Sequence, residues 1–453
     1  VRLLGILLKA LLALVVVVVA GIAGWLYFSP PALIRVGTAY SAKIVCSSHF
    51  VSGRPADAVL ALDVQAPGHW LLKYISVDVN QGEGSVSARL LGAFGESRAI
   101  YREGAGCSSV PAGAEASAVP AFATPRQNDA NALWPVGDGV QPSQDPALAA
   151  ILDDSALTGD GMRAVVVVQN GRIVGERYGD GFSAGTPLLG WSMTKTVTAA
   201  IIGTLVEEGR LSLEQDGLFE EWTVDERAEI TLADLMAMSS GLEFNEDYGD
   251  VTDVTRMLYL QADMATFAAD KPLAGARGEV FNYSSGTSVL LSRIWQNAFD
   301  NAEAAYAYPR EAIFGPLGMS SAVLEPDASG TFVGSSYLYA TARDWARFGQ
   351  MLLDGGAWQG RQVLPEGFAE WMREEAPASE GQYGRGQLWL AGPGGLEENG
   401  TLPADTFWLR GHDGQTIAVV PSSNLVVVRL GLTPSRLAYR PQRMVEALVG
   451  HFE

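Results

Sequence analysis

The chain of 453 residues exceeds the usual size of one domain and can bury a large core with at least one further module attached. Its 31 basic and 51 acidic residues leave a net charge of −20, which argues against any role that depends on gripping a phosphate backbone and sets nucleic acid aside as a partner. Four histidines (His49, His69, His412, His451) and two cysteines (Cys46, Cys107) stand in no HExxH or CxxC spacing, so no metal is expected.

The first element, residues 1–28, contains the uncharged run "LLALVVVVVAGIAGWLYF" behind Arg2 and Lys9, about the length that crosses a bilayer as a helix. The basic residues favour a cytoplasmic start, which puts the remainder of the chain outside and makes the segment a signal-anchor of a bacterial inner membrane protein. A cleaved signal peptide is the competing reading, because "AGIAG" offers small residues.

Residues 29–113 carry short runs such as "AVLALDVQA", "WLLKYISVDV" and "SVSARLLGAF" between Gly, Pro, Asn and Asp, and read as a small accessory β-rich module. Cys46 and Cys107 bracket it; in an oxidising compartment a disulfide between them closes a loop and stabilises by about 4 kcal/mol on the chain-entropy estimate. Residues 114–145, rich in Ala, Pro, Ser and Gly without apolar periodicity, read as linker or draped loop.

The main domain, residues 146–453, opens with "MRAVVVVQNGRIVGERYG", a hairpin signal centred on Asn170-Gly171, and closes with a second strand pair, "TIAVVPSSNLVVVRLGL". Between them lie helical segments with legible ends: Ser192 to about Glu208 before Gly209, one after Thr231 before Gly241, and one after Thr341 before Gly355. Strands at both extremities and helices between predict an antiparallel sheet completed by the two ends of the domain and flanked by helices, an α+β fold.

Three elements bear chemistry. Ser192 and Lys195 in "GWSMTKTVTAAIIGTLVEEG" are three apart at a helix start, so the amine and the hydroxyl share a face. A lysine near the positive end of a helix and away from water loses proton affinity, and a neutral amine serves as a general base. Tyr283, in "FNYSSGTSVLL", offers a phenol for proton transfer beside Ser284 and Ser285. "LRGHDGQTIAVV" leads through Gly411, His412, Asp413 and Gly414 into a strand, where the amide of Gln415 is a candidate oxyanion donor. Trp191 and Tyr248, the latter in the acidic loop "NEDYGD", are candidate substrate contacts, with a solvated loop as the alternative for Tyr248. Tyr383 and Trp389 either line a pocket or fill the core.

In this order, serine-lysine, tyrosine, glycine-strand, the chain from about Asp145 resembles the serine β-lactamase and penicillin-binding superfamily, in its class C-like branch with D-aminopeptidases, carboxylesterases and 6-aminohexanoate-dimer hydrolases. "LADLMAMSSGLEF", "PLGMSSAVLEPD" and "ATARDWARFGQMLLDGG" are similar to the same branch. The resemblance implies a β-lactamase-like sheet with an all-helical subdomain. It makes Ser192 the acylated nucleophile of S-x-x-K, Lys195 its partner, and Tyr283 the tyrosine of Y-x-N with Ser285 in place of the Asn. It also puts His412 where β-lactamases carry the Lys of K-T-G, with Gly414 closing that element, and implies no cofactor. Against that pattern, a neutral His412 attracts an antibiotic carboxylate weakly, and one hydroxyl at Ser285 makes fewer amide contacts than an Asn. Esters or short amides are therefore the expected small-molecule substrates. A cell-wall D-amino peptidase and a non-catalytic scaffold remain the alternatives, and oligomeric state is open.

Overall fold

The computed structural model describes residues 2–123 and 125–453. Helix α1 (Arg2–Phe28) has no buried residue, and it is the one helix among the described residues long and apolar enough to cross a membrane.

After it, helix α2 (Ala32–Phe50) lies across a four-stranded antiparallel meander of β1 (Ile75–Asn80), β2 (Ser85–Leu90), β3 (Phe94–Arg102) and β4 (Gly106–Val110). The β-rich reading of residues 29–113 is corrected here in two places. Ala32–Phe50 is helical, and "AVLALDVQA" winds from the helical turn Ala56–Val59 into the wider turn Leu60–Gln65. The period explains the second: Val59, Asp63 and Val64 are buried while Ala61 and Leu62 face water, a helical spacing rather than alternation. Asp63 is buried because it is the shared acceptor of Arg54 and Arg163. A disulfide joins Cys46 on α2 to Cys107 on β4.

The main sheet has five antiparallel strands in the order β7 (Phe407–Gly411), β8 (Gln415–Val420), β9 (Leu425–Gly431), β5 (Met162–Gln169) and β6 (Arg172–Tyr178). Asn170 and Gly171, both with positive φ, make the expected tight hairpin. The two ends of the domain meet at the centre of the sheet, where Val427 pairs with Val167 and Val428 with Val166. Both faces are covered, which is why these strands read as unbroken apolar runs. Val165 and Val167 face Leu148, Met444 and Leu448, the last two on the C-terminal helix, whereas Val166 and Val168 face the central core. That core is filled by helices α3 (Thr194–Glu207), α4 (Ser285–Asn297) and α5 (Ala342–Leu353), and nearly every residue of α3 is buried.

Residues of the meander and α2 share this central core. The seam is polar at one point. Glu325, fully buried, accepts from Lys43 Nζ, from Ser47 Oγ (2.8 Å) and from the backbone N–H of Cys107 (2.6 Å), while Lys43 Nζ also sits 3.8 Å from the Tyr337 ring centroid. Burial lowers the Lys43 pKa and the Glu325 charge opposes that shift. Residues 114–123 and 125–145 are draped over the domain: Asn128 donates to the Gly318 carbonyl (2.8 Å), and the buried Arg347 donates to the Gly137 carbonyl (2.7 Å) and to Asp138 (2.8 Å).

Replacing Glu325 with Ala strands a buried ammonium beside the Cys46–Cys107 bond and is expected to lower unfolding free energy by about 3–5 kcal/mol in equilibrium urea titration. Lys43→Met together with Glu325→Leu removes both charges and is expected to recover most of that loss.

Candidate active site

The approach to Ser192 is constrained by its neighbours. A side chain at Gly190 would meet the Trp345 ring at 2.2 Å, and one at Gly411 would meet the Gly190 carbonyl at 2.3 Å, so the nucleophile turn and β7 touch backbone to backbone. Trp191, an aromatic residue held at φ 49°, then makes the sharp turn that delivers Ser192 into the short 3₁₀ segment ahead of α3.

Lys195, 1% exposed, holds its Nζ 3.1 Å from Ser192 Oγ, 3.0 Å from Ser285 Oγ and 3.2 Å from the Ser335 carbonyl. The directions of these bonds follow from chemistry. Ser335 contributes a carbonyl, which accepts only. Ser285 Oγ donates its one proton to Glu246 Oε1 at 2.5 Å, so towards Lys195 it accepts. A neutral amine has two N–H groups, and both are thereby used; its lone pair is left for the hydroxyl of Ser192. Burial lowers the Lys195 pKa to about 8, with Glu246 pulling the other way at 3.9 Å.

Glu246 is a further candidate site residue, and within the acidic loop "NEDYGD" nothing in the sequence separates it from its neighbours. Its second oxygen accepts the Ser285 backbone N–H at 2.7 Å, so it occupies the N-terminus of α4, where the helix presents unpaired donors. Burial raises its pKa, opposed first by Lys195 and then by the two bonds from Ser285. The backbone carbonyl of Ser335 carried no sequence signal, since any residue supplies one.

Tyr283 precedes Ser284, which caps α4 by accepting the Thr287 N–H at 3.0 Å. Its ring centroid lies 4.8 Å from Lys195 Nζ, and it packs on Trp389 (5.0 Å) and Tyr383 (5.8 Å). Burial pushes the phenol pKa well up and the Glu246 charge adds to this, while the Ser192 hydroxyl opposes it. Tyr283 therefore stays protonated near neutral pH. The cation nearest this aromatic group is Arg410, its guanidinium 4.0 Å from the Trp389 ring centroid, with its pKa lowered to about 10 by burial and raised in part by Tyr283.

The third element differs from expectation. The strand against the nucleophile turn is β7, and His412, Asp413 and Gly414 form the turn after it. His412 therefore does not hold the K-T-G lysine's place on the strand; its ring stacks on Tyr248 (4.6 Å) and meets Trp191 edge-on (5.5 Å). Gly414, at φ 85°, gives its carbonyl to Arg429 and serves the turn. Gln415 is also corrected. Trp408 exchanges both backbone bonds with Trp389, away from β8, and the alternation of an antiparallel ladder then turns Gly411 towards its partner Gln415. The Gln415 N–H is engaged in the sheet, and its side chain ties the turn to Gly431 through the Gly431 N–H (2.8 Å) and carbonyl. By the same alternation the N–H of Arg410 points to the open edge of β7.

A serine hydroxyl 3.1 Å from the amine of a buried lysine, beside a tyrosine ring and an open strand edge, is the arrangement of a serine hydrolase. The chain belongs to the beta-lactamase family, whose sequence model matches residues 156–444. It is 26% identical over 301 residues to a 6-aminohexanoate-dimer hydrolase of Paenarthrobacter ureafaciens, covering 60% of this chain and 72% of that one. A Bacillus anthracis structure named for the same dimer hydrolase superposes with a TM-score of 0.56 at 26% identity, covering 74% of this chain and 88% of the other. A penicillin binding protein from Bacillus halodurans shares the fold, with a TM-score of 0.52, 19% identity and coverage of 66% and 99%.

Because Glu246 raises the Lys195 pKa, Glu246→Gln is expected to move the rising limb of the kcat/KM–pH profile below the wild-type position near pH 8, as read with a neutral ester. Ser285→Ala, which removes one forced acceptor, is expected to lower kcat by about tenfold to a hundredfold, as measured by stopped-flow acylation.

Proposed function

We propose that this chain is a membrane-anchored serine hydrolase that cleaves an ester or a short amide on the extracytoplasmic side of a bacterial inner membrane. The observation that carries the chemistry is the placement of Lys195 Nζ 3.1 Å from Ser192 Oγ with Ser285 Oγ and the Ser335 carbonyl as its two other oxygen neighbours, so that in the neutral amine both N–H groups have acceptors and the lone pair faces the Ser192 hydroxyl.

Ser192 Oγ attacks the substrate carbonyl carbon as its proton passes to Lys195 Nζ. The carbonyl electrons move onto oxygen, which the N–H of Ser192 and the edge-facing N–H of Arg410 receive. Collapse breaks the bond to the leaving alcohol or amine, which takes a proton from Tyr283, and the phenol is re-protonated from Lys195. A water then repeats the sequence on the acyl-enzyme with Lys195 as base, releasing the acid and free Ser192. The relatives named for 6-aminohexanoate dimers support a short amide as one substrate type.

Location is supported by α1, none of whose apolar side chains is buried, by Arg2 and Lys9 on its N-terminal half, and by the Cys46–Cys107 bond, which an oxidising compartment favours.

A fluorophosphonate probe is expected to label the wild-type chain and not Ser192→Ala, and the same substitution is expected to lower ester hydrolysis by at least about a thousandfold. Side-by-side rates on p-nitrophenyl esters, aminohexanoate dimers and D-alanyl peptides are expected to favour the first two; D-alanyl peptides leading would move the assignment to a wall peptidase.

A further inference from the structure

A cavity of about 210 Å³ lies between the meander and the hydrolase domain. On one side α2 and the segments beside it supply Ile34, Gly37, Leu72 and Leu90; on the other stand Trp191, Tyr248 and His412. Ser192 is not itself part of the lining, but Trp191 is its chain neighbour, and the three rings are packed together within 6.3 Å of one another. No Lys or Arg lines the cavity, and Asp250 and Asp413 sit on it. An anionic group would find no countercharge there and two repelling ones, so the site suits an uncharged chain.

We propose that this cavity is the subsite for an unbranched apolar chain of the substrate, so that α2 and the meander determine specificity for a hydrolase whose reactive groups all lie outside them. The inference rests on the proposed hydrolase activity. Water and a methylene are of similar bulk, about 30 Å³, so the space takes about seven carbons. Each methylene moved from water into it favours binding by up to about fourfold. The first turn of α2, which contributes Leu33 and Ile34, follows directly on α1, so a chain drawn from a bilayer surface would find the cavity beside the anchor.

Two ester series separate which side of the scissile bond the chain occupies: p-nitrophenyl esters from acetate to decanoate vary the acyl side, and alkyl acetates from ethyl to decyl vary the alcohol side. One series is expected to show kcat/KM rising about two- to fourfold per methylene and levelling near eight carbons. Gly37→Leu fills the cavity, since a Cβ there already lies 3.3 Å from Leu72 and 3.5 Å from Ile75. It is expected to abolish at least about tenfold of the eight-carbon advantage while acetate hydrolysis changes less than about twofold, which also shows that the variant folds. Leu72→Trp is the second variant and is expected to do the same.

Two flat series, or an equal loss on acetate and octanoate in both variants, would overturn the assignment. If neither an ester nor a short amide is cleaved, the hydrolase reading fails by itself. The cavity is then read by uptake of the neutral fluorophore N-phenyl-1-naphthylamine and its displacement by octanol: saturable uptake lost in Gly37→Leu upholds an apolar-chain site, and identical uptake in the two proteins rejects it.

Discussion

The site depends on where the protons of one buried amine must point. Lys195 has three oxygen neighbours, two of which accept by chemical necessity, one because it is a carbonyl and the other because its proton is held by Glu246. Burial lowers the Lys195 pKa to about 8, and in the neutral amine the geometry aims the lone pair at the Ser192 hydroxyl. Glu246 works in two directions: it fixes the proton of Ser285, and its charge keeps Lys195 from losing its own too readily. The same carboxylate satisfies the first N–H of α4, so helix packing and proton placement are one arrangement.

The meander and α2 belong to this arrangement physically. They share the core with the hydrolase domain, and the seam at Glu325 is closed by a lysine and a hydroxyl from α2 and by the backbone of the residue that forms the disulfide on β4. The rings of Trp191, Tyr248 and His412 line the cavity against α2 and the meander, and Trp191 also packs near Tyr337, on which Lys43 sits, so a change in how the meander packs reaches the turn that carries Ser192.

Local chemistry, the closing of the sheet by the two ends of the domain and the Cys46–Cys107 bond were legible in the sequence, whereas the meetings of single side chains across the site were not. Ser192 and Lys195 are three residues apart, Tyr283 and Ser285 two, and such spacings survive in any helix or helix entry. The paired β5 and β6 announced themselves through Asn170-Gly171 and their valines. Glu246 reaches Ser285 across 39 residues and Ser335 reaches Lys195 across 140, and nothing in either segment encodes the meeting. The misplaced oxyanion donor has a similar cause: which backbone groups of a strand face outward depends on its partners, here Trp389 on one side of β7 and Gln415 on the other. α2 went unread because its small and hydroxylic residues, Thr38, Ser41, Ser47 and Ser48 among them, are buried against the meander, so its polarity does not mark a wet face.

The sheet places β9, near the end of the chain, between β8 and β5, and puts β7 against the turn that bears Ser192. A ribosome delivering this polypeptide releases Ser192, Lys195 and Tyr283 long before Phe407–Gly411 exists. Until those last strands emerge and dock, the turn that bears Ser192 has no β7 to pack against, so synthesis proceeds with the site unassembled.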